Sequence, residues 1–319
     1  CRPGTHDHIR EMNRRVYSSG NVMTVGEVSA PTVEELANYV RTEREEFDMA
    51  IPFVPPIEEI NTWSPEKLKH DAWESYRIMP EEGWWARFLS NHDKPRQVSL
   101  YGDDGEYWEA SAKLLAMFIH TLPGTPFIYQ GEEIGMTNVS FPSFEDYDDP
   151  STRDQYHQYI LSGMDPSKAL SLVRLESRDN ARTPMQWDSS ENAGFTTGKP
   201  WLKVNQNALK INVAAQRQDP HSIYSCYKNL IALRKTCPAL SRGNLCFLDT
   251  GCPELIGLTR SYEGKGLLVF LNFSKDGHTI PSGLLENIGA VLMSSYDREG
   301  GYQGENLRPY EAVIFKMKD

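Results

Sequence analysis

Two periods of apolar and polar positions take turns along the first 130 residues. Ile9, Met12 and Val16 recur at helical spacing over residues 7–19, and Ser18-Ser19-Gly20-Asn21 ends that helix. Val22-Met23-Thr24-Val25-Gly26-Glu27-Val28 follows, short and apolar, and predicts a strand with Glu27 where it ends. Residues 31–37 restart a helix, with Thr32 placed to cap it and Glu35 to complete a capping box. Residues 47–53 read as a strand, 65–79 as a helix and 84–90 as a strand. Residues 106–122 predict a strong helix, with Ala112, Leu115, Ala116 and Ile119 on one face and Gly124 as its stop. Residues 125–129 are a further strand, running into Gln130-Gly131-Glu132-Glu133. Such alternation implies a parallel α/β sheet. In a barrel the polar strand ends share one face, where active sites lie.

Periodicity fades over residues 136–212, which are polar and rich in Asp, Ser and Tyr. Ser177 to Trp187 is too compact and aromatic for a plain linker, so the stretch predicts a folded lid over the rim. Residues 221–236 return to helix. After Arg242-Gly243 come short apolar runs at 255–260, 266–272, 290–293 and 312–315, separated by Gly, Ser and Asp turns. That pattern predicts an antiparallel β-sandwich domain over 243–319, behind a barrel portion over 1–242.

Composition narrows the function. Lys and Arg total 33 against 44 Asp and Glu, a net charge of -11 over 319 residues. That disfavours nucleic acid as partner and suits a neutral ligand. No apolar run reaches the ~18 residues of a membrane span. Five cysteines, without a C-x-x-C, predict reduced thiols and a cytoplasmic setting. His6 and His8, two apart on a helix start, do not share a face, and no zinc spacing or phosphate-cradling loop is present. Neither a metal nor a cofactor is expected.

The chemistry concentrates in Phe88-Leu89-Ser90-Asn91-His92-Asp93-Lys94-Pro95-Arg96. An apolar run ends abruptly in Asn-His-Asp, which is how a buried parallel strand delivers polar groups to a rim. The same residues also suit a helix N-cap. Upstream, Glu27 supplies a second carboxylate at a strand end, and paired carboxylates serve glycoside hydrolysis.

Together these residues resemble the α-amylase superfamily of glycoside hydrolases, in the branch of oligo-1,6-glucosidase, α-glucosidase and trehalose-6-phosphate hydrolase. Val25-Gly26-Glu27 is similar to the family strand ending in the acid/base glutamate, and residues 88–93 to the strand carrying a His-Asp pair. Tyr129-Gln130-Gly131-Glu132-Glu133-Ile134-Gly135-Met136-Thr137-Asn138, Arg178 to Trp187 and Asn192-Ala193-Gly194-Phe195 extend the likeness over essentially the whole chain. The resemblance implies retaining hydrolysis of α-glucosidic bonds in short oligosaccharides. Glu27 is then the acid/base, and Asp93 stabilises an oxocarbenium-like state. His92 holds a ring hydroxyl, and Arg182, with Arg178 second, is the lid arginine gripping glucose. Glu132 and Glu133 are rim carboxylates in ion pairs or against substrate. In the family the Glu27 strand is the fifth of the barrel, and an Arg-x-Asp nucleophile precedes it. Here Arg217-Gln218-Asp219 lies after the last barrel strand and does not follow a β-rich run. A whole barrel takes ~250 residues. The chain is therefore expected to hold strands five to eight, completed by an N-terminal barrel half of the full-length protein. Hydrolysis of trehalose-6-phosphate stays open, as does a non-catalytic role like that of transporter heavy subunits, which share the fold but carry a membrane span.

Overall fold

A computed structural model describes residues 2–53, 63–78, 83–297 and 306–318. Helix α1 (Thr5–Met12) runs on into a single π turn, Asn13–Tyr17. Then come β1 (Val25–Ser29), α2 (Val33–Ala37), β2 (Met49–Phe53), α3 (Pro65–Ile78), β3 (Ala86–Arg87), α4 (Gln97–Tyr101), α5 (Trp108–Thr121) and β4 (Thr125–Pro126). β1 pairs with β2 in parallel, Glu27 opposite Ile51. A parallel bridge from Ala50 to Trp85 carries the ladder to β3, which pairs in parallel with β4. The four strand ends therefore share one side, as strand–helix alternation requires. β3 and β4 are shorter than their apolar runs; the bonds that join them run from the Thr125 N–H to Trp85 O at 2.9 Å and from the Phe127 N–H to Arg87 O at 2.8 Å, and the missing N–H of Pro126, between the two, lies on the other edge. In β1, Gly26 lies under Phe47: a Cβ there would come 2.5 Å from the Phe47 ring. Thr32 caps α2, its Oγ1 accepting the Glu35 N–H at 3.2 Å.

Every residue of α5 from Ser111 to Thr121 is buried, not the single face its spacing predicts. It is walled by α4, by α10 (Ile223–Thr236) and by the β domain. Its C-terminal carbonyls are met by guanidinium groups rather than by water. Arg234 donates to the carbonyls of His120 at 2.7 Å, Leu122 at 3.2 Å, and Gly124. Arg87 donates to Pro123 O at 2.7 Å, and Arg260 to Thr121 O. Cations at a helix C-terminus suit its dipole and its orphan carbonyls.

The span 136–212 is folded. It holds α6 (Pro150–Leu161), α7 (Pro166–Glu176) and the short α8 (Asp179–Arg182), with a small core of Val139, Phe141, Tyr147 and Val173. Asp149 and Asp165 cap α6 and α7, each followed by proline at the first helical turn. Helix α9 (Val213–Gln218) precedes α10, and α11 (Pro238–Arg242) follows it.

The C-terminal part is built on β5 (Asn244–Leu248), β6 (Leu255–Tyr262), β7 (Lys265–Asn272), β8 (His278–Thr279), α12 (Ser282–Leu285), β9 (Ile288–Ser294), β10 (Asn306–Leu307) and β11 (Ala312–Met317). Five of these strands form one antiparallel sheet, ordered β5-β6-β7-β11-β9. Side chains alternate between two cores, as period-two geometry dictates. Ile256, Leu258, Leu267, Val269, Leu271 and Ile314 pack with α5 and α10, while Leu268, Phe270, Val313 and Phe315 face the other way. Where the sequence suggests a sandwich, the second layer among the described residues is the two-stranded β8–β10 ladder with α12.

Candidate active site

The candidate site is assembled from residues at β1, residues that follow β3, and the α8 segment. In β1 burial alternates, so Val25, Glu27 and Ser29 point one way into the open while Gly26 and Val28 pack inside. β3 delivers Asn91, His92 and Asp93 just past its end. There the Asn91 Oδ1 accepts the Asp93 N–H at 2.8 Å, an Asx turn that fixes the Asp93 backbone. The helix-cap reading of these residues does not apply, because α4 begins only at Gln97 with Arg96 as its N-cap residue and no side-chain cap.

Around Asp93 the structure brings four of the five sequence-derived residues together. Arg182 donates from Nη2 to Asp93 Oδ1 at 2.6 Å and from Nε to the His92 carbonyl at 2.9 Å. Arg178 Nη1 lies 3.7 Å from the same carboxylate oxygen, and His92 Nε2 3.7 Å from it. Asp93 is part-exposed, so these contacts hold its geometry more than they stabilise the fold. Glu27 joins them through space: it lines, with Ile51, Ser90, His92 and Tyr129, a cavity of about 150 Å³. A larger cavity of about 290 Å³ has an apolar lining that includes Leu36, Leu68, Ala72 and Phe118, and none of the five candidates. Two others are larger still, about 590 Å³ beside Trp73 and Phe247 and about 520 Å³ beside Trp201, so size alone does not pick out the candidate site. The clustering of carboxylate, imidazole and guanidinium favours the one that Glu27 lines.

Beneath the candidates lies a buried support that sequence reasoning did not assign. Arg182 reaches from Nη1 to the buried Asp149 at 3.0 Å, and the other oxygen of Asp149 caps α6 through the Thr152 N–H at 2.8 Å. Asp179 in turn accepts the N–H groups of Asp148 at 2.7 Å and Asp149 at 3.1 Å, and burial raises its pKa. Arg96, fully buried, donates to the carbonyls of Gln130 at 2.6 Å, Asn180 at 3.0 Å and Ala181 at 3.1 Å. Burial pulls its pKa down only to about 10, so it stays charged at neutral pH. One side chain thus ties the segment after β4 to α8, which carries Arg182. The readable signals were Asp149-Pro150, a helix start, and an arginine directly after Pro95.

Glu132 and Glu133 do not sit as the rim reading supposed. Among the described residues neither has an ion-pair partner. Glu132 is buried, and that burial pushes its pKa up to about 8. Glu133 accepts the Gly131 N–H at 2.8 Å, and burial raises it too. His6 bonds to the buried Glu46 at 2.7 Å and packs at a tilt against the Tyr39 ring, so it is engaged structurally. Trp85 is buried in the core.

Residues 1–243 match the family model of the α-amylase catalytic domain. The chain is 40% identical over 329 residues to the oligo-1,6-glucosidase of Parageobacillus thermoglucosidasius, covering 99% of this chain and 58% of that protein. It is 37% identical over 327 residues to the trehalose-6-phosphate hydrolase of Escherichia coli (strain K12), covering 99% and 59%. Among solved structures, the trehalulose synthase MutB from Pseudomonas mesoacidophila MX-45 superposes with a TM-score of 0.90 at 38% identity, covering 99% of this chain and 59% of that one. The chain thus spans less than two thirds of the length of these relatives.

Proposed function

The chain belongs to the α-amylase family, and from that membership we propose that it supplies one half of an active site for retaining hydrolysis of α-glucosidic bonds in short oligosaccharides. The four parallel strands β1 to β4 stand as the second half of a (β/α)8 barrel, and residues 136–212 as the lid over its mouth. The nucleophilic carboxylate comes from the other barrel half. No cofactor is needed, and the cytoplasm, where small sugars and free thiols coexist, is the proposed setting.

In this reading Glu27 gives its proton to the glycosidic oxygen as the bond to the anomeric carbon breaks. The nucleophile takes up that carbon, and Glu27 then draws a proton from the water that releases the sugar. Asp93 accepts hydrogen bonds from sugar hydroxyls and faces the positive charge that develops on the ring. His92 holds a hydroxyl beside it. Arg182, anchored on Asp149, keeps Asp93 in place and closes the lid edge of the pocket, with Arg178 behind it. The observation that carries the proposal is the convergence of His92, Arg178 and Arg182 on Asp93 Oδ1, beside a cavity that Glu27 shares.

The test uses the protein with both barrel halves, given isomaltose, maltose and trehalose-6-phosphate. Turnover of a neutral disaccharide with retained anomeric configuration is expected. Glu27→Gln should lower it at least ~100-fold, the ordinary worth of a general acid. Activity kept in Glu27→Gln would remove that residue from its role. Faster turnover of trehalose-6-phosphate than of isomaltose would move the assignment to the phosphorylated substrate.

A further inference from the structure

Outside the sugar site, one mixed group of side chains in the β domain has no role in the scheme above. Cys252, Glu254 and His278 each bring one ligand-type atom to within 4.8 Å of the others. The Cys252 sulfur lies 3.3 Å from Glu254 Oε2 and 3.5 Å from His278 Nδ1. We propose that this cluster binds one divalent transition-metal ion, zinc in the first instance.

The spacing is the first argument. A tetrahedral zinc holds sulfur at ~2.3 Å and nitrogen or carboxylate oxygen at ~2.0–2.1 Å, which sets sulfur about 3.5 Å from each of the other two ligands. The two sulfur separations lie within about 0.2 Å of that value, and the carboxylate and imidazole are within 4.8 Å of each other, so the ion would set its ligands by small side-chain shifts. The donor set is the second argument. Thiolate, imidazole and carboxylate together suit zinc, and a thiolate excludes calcium and magnesium as preferred guests. The third is preorganisation. Cys252 and Glu254 flank Pro253 in a turn where Thr250 Oγ1 lies 3.0 Å from the Cys252 carbonyl and 2.7 Å from that of Leu255. Gly251 takes the left-handed conformation this turn needs, with φ 65°. The Phe273 N–H bonds the Glu254 carbonyl at 2.8 Å, which sets the carboxylate against the start of β6. His278 is held by the β8–β10 ladder, and its Nε2 is buried, leaving Nδ1 as the nitrogen on the sulfur side. Glu254 is part-exposed, so water reaches the fourth position.

On binding, the Cys252 thiol releases its proton to solvent and the thiolate sulfur takes the ion, with the charge of the Glu254 carboxylate completing neutrality. The ion would clip the turn before β6 to the covering ladder 26 positions on. That closes a loop in the manner of a cross-link and stabilises the second layer on the sheet.

The experiment takes the full chain, stripped with chelator under reducing conditions, and adds cobalt(II) as a spectroscopic stand-in. A sulfur-to-cobalt charge-transfer band saturating at one equivalent is expected, displaced by zinc, with zinc also raising the melting temperature. Cys252→Ser and His278→Ala should lose the band, and Cys246→Ser should keep it. Glu254→Gln, a near-isosteric change at a part-exposed position, should weaken zinc binding at least ~10-fold. No band in the parent, or an equal band in Cys252→Ser, overturns the proposal and leaves a hydrogen-bonded thiol.

Discussion

A carboxyl group with no counter-ion is the residue whose behaviour is easiest to check. Glu132 sits in the buried layer under the rim, with Glu133 beside it and Arg96 close enough to attract it but not to pair. Folded, it keeps its proton up to about pH 8, whereas in the unfolded chain the group releases it near 4.5. Between those values the folded state carries the extra proton, so stability falls as pH rises through the window and levels off above it. One proton of difference corresponds to ~1.4 kcal/mol per pH unit. Glu132→Gln copies the neutral form. The parent-minus-variant difference in unfolding free energy is therefore expected to slope over this window and be flat outside it, with the variant gaining most above pH 8. Urea melts of both proteins at several pH values measure this. A difference independent of pH would show that Glu132 is ionised in the folded chain. The sequence presented Gln130-Gly131-Glu132-Glu133 as acids at a strand end, and acids at a strand end read as rim. Only the φ of 94° at Gly131, which turns the chain back under Tyr129, decides that Glu132 goes inward.

Among the elements, the lid depends on a contact that no pattern announces. Arg96 ties three carbonyls from two distant segments, and with Tyr129 at 5.5 Å under its guanidinium the side chain has no freedom left. Arg96→Met roughly keeps the volume and takes a charged donor from all three carbonyls: Ala181 keeps the Tyr129 hydroxyl at 3.0 Å and Asn180 the Thr183 hydroxyl at 3.4 Å, while Gln130 loses the guanidinium bond without such a substitute among the described residues. A loss of about 2–4 kcal/mol of stability is expected. Hydrogen exchange should rise over residues 177–187 before it rises in α5. Protection unchanged across the lid would refute the tie. What was legible here divides along physical lines. The β1, β2 and α5 segments could be read because their apolar periods are set by burial, and the Asn-His-Asp step because a strand ends there. The hairpin of α6 and α7 escaped notice. Its helices are half-solvated, so their apolar stripe is thin, and only the Asp149-Pro150 and Asp165-Pro166 caps mark where they start. The sheet order of the β domain was equally out of reach, since β5, β8 and β10 are short or exposed and take their places from pairing partners far along the chain.

For the molecule as a whole, the β1–β4 ribbon poses the largest question. Among the described residues β1 and β4 each have a strand partner on one side only, and Val25, Phe127 and Ile128 near them are more than a third exposed. The surface totals 16273 Å², against roughly 13,400 Å² for a compact monomer of this mass. Open strand edges flanked by apolar side chains invite pairing. If β1 to β4 are half of a barrel, adding the other half should satisfy both edges at once. An N-terminal fragment of an oligo-1,6-glucosidase, ending before the acid/base strand, is the natural partner for this trial. Alone, this chain is expected to show no turnover of p-nitrophenyl α-glucoside and to self-associate or bind an apolar dye. Mixed or co-expressed with the fragment, it should lose dye binding and gain turnover together, because under the proposed function the same event closes the sheet and brings the nucleophile opposite Glu27. Turnover by the chain alone would mean that its own residues supply the attacking carboxylate. Closure without turnover would keep the barrel and remove the proposed chemistry, so the two readouts separate the architecture from the reaction.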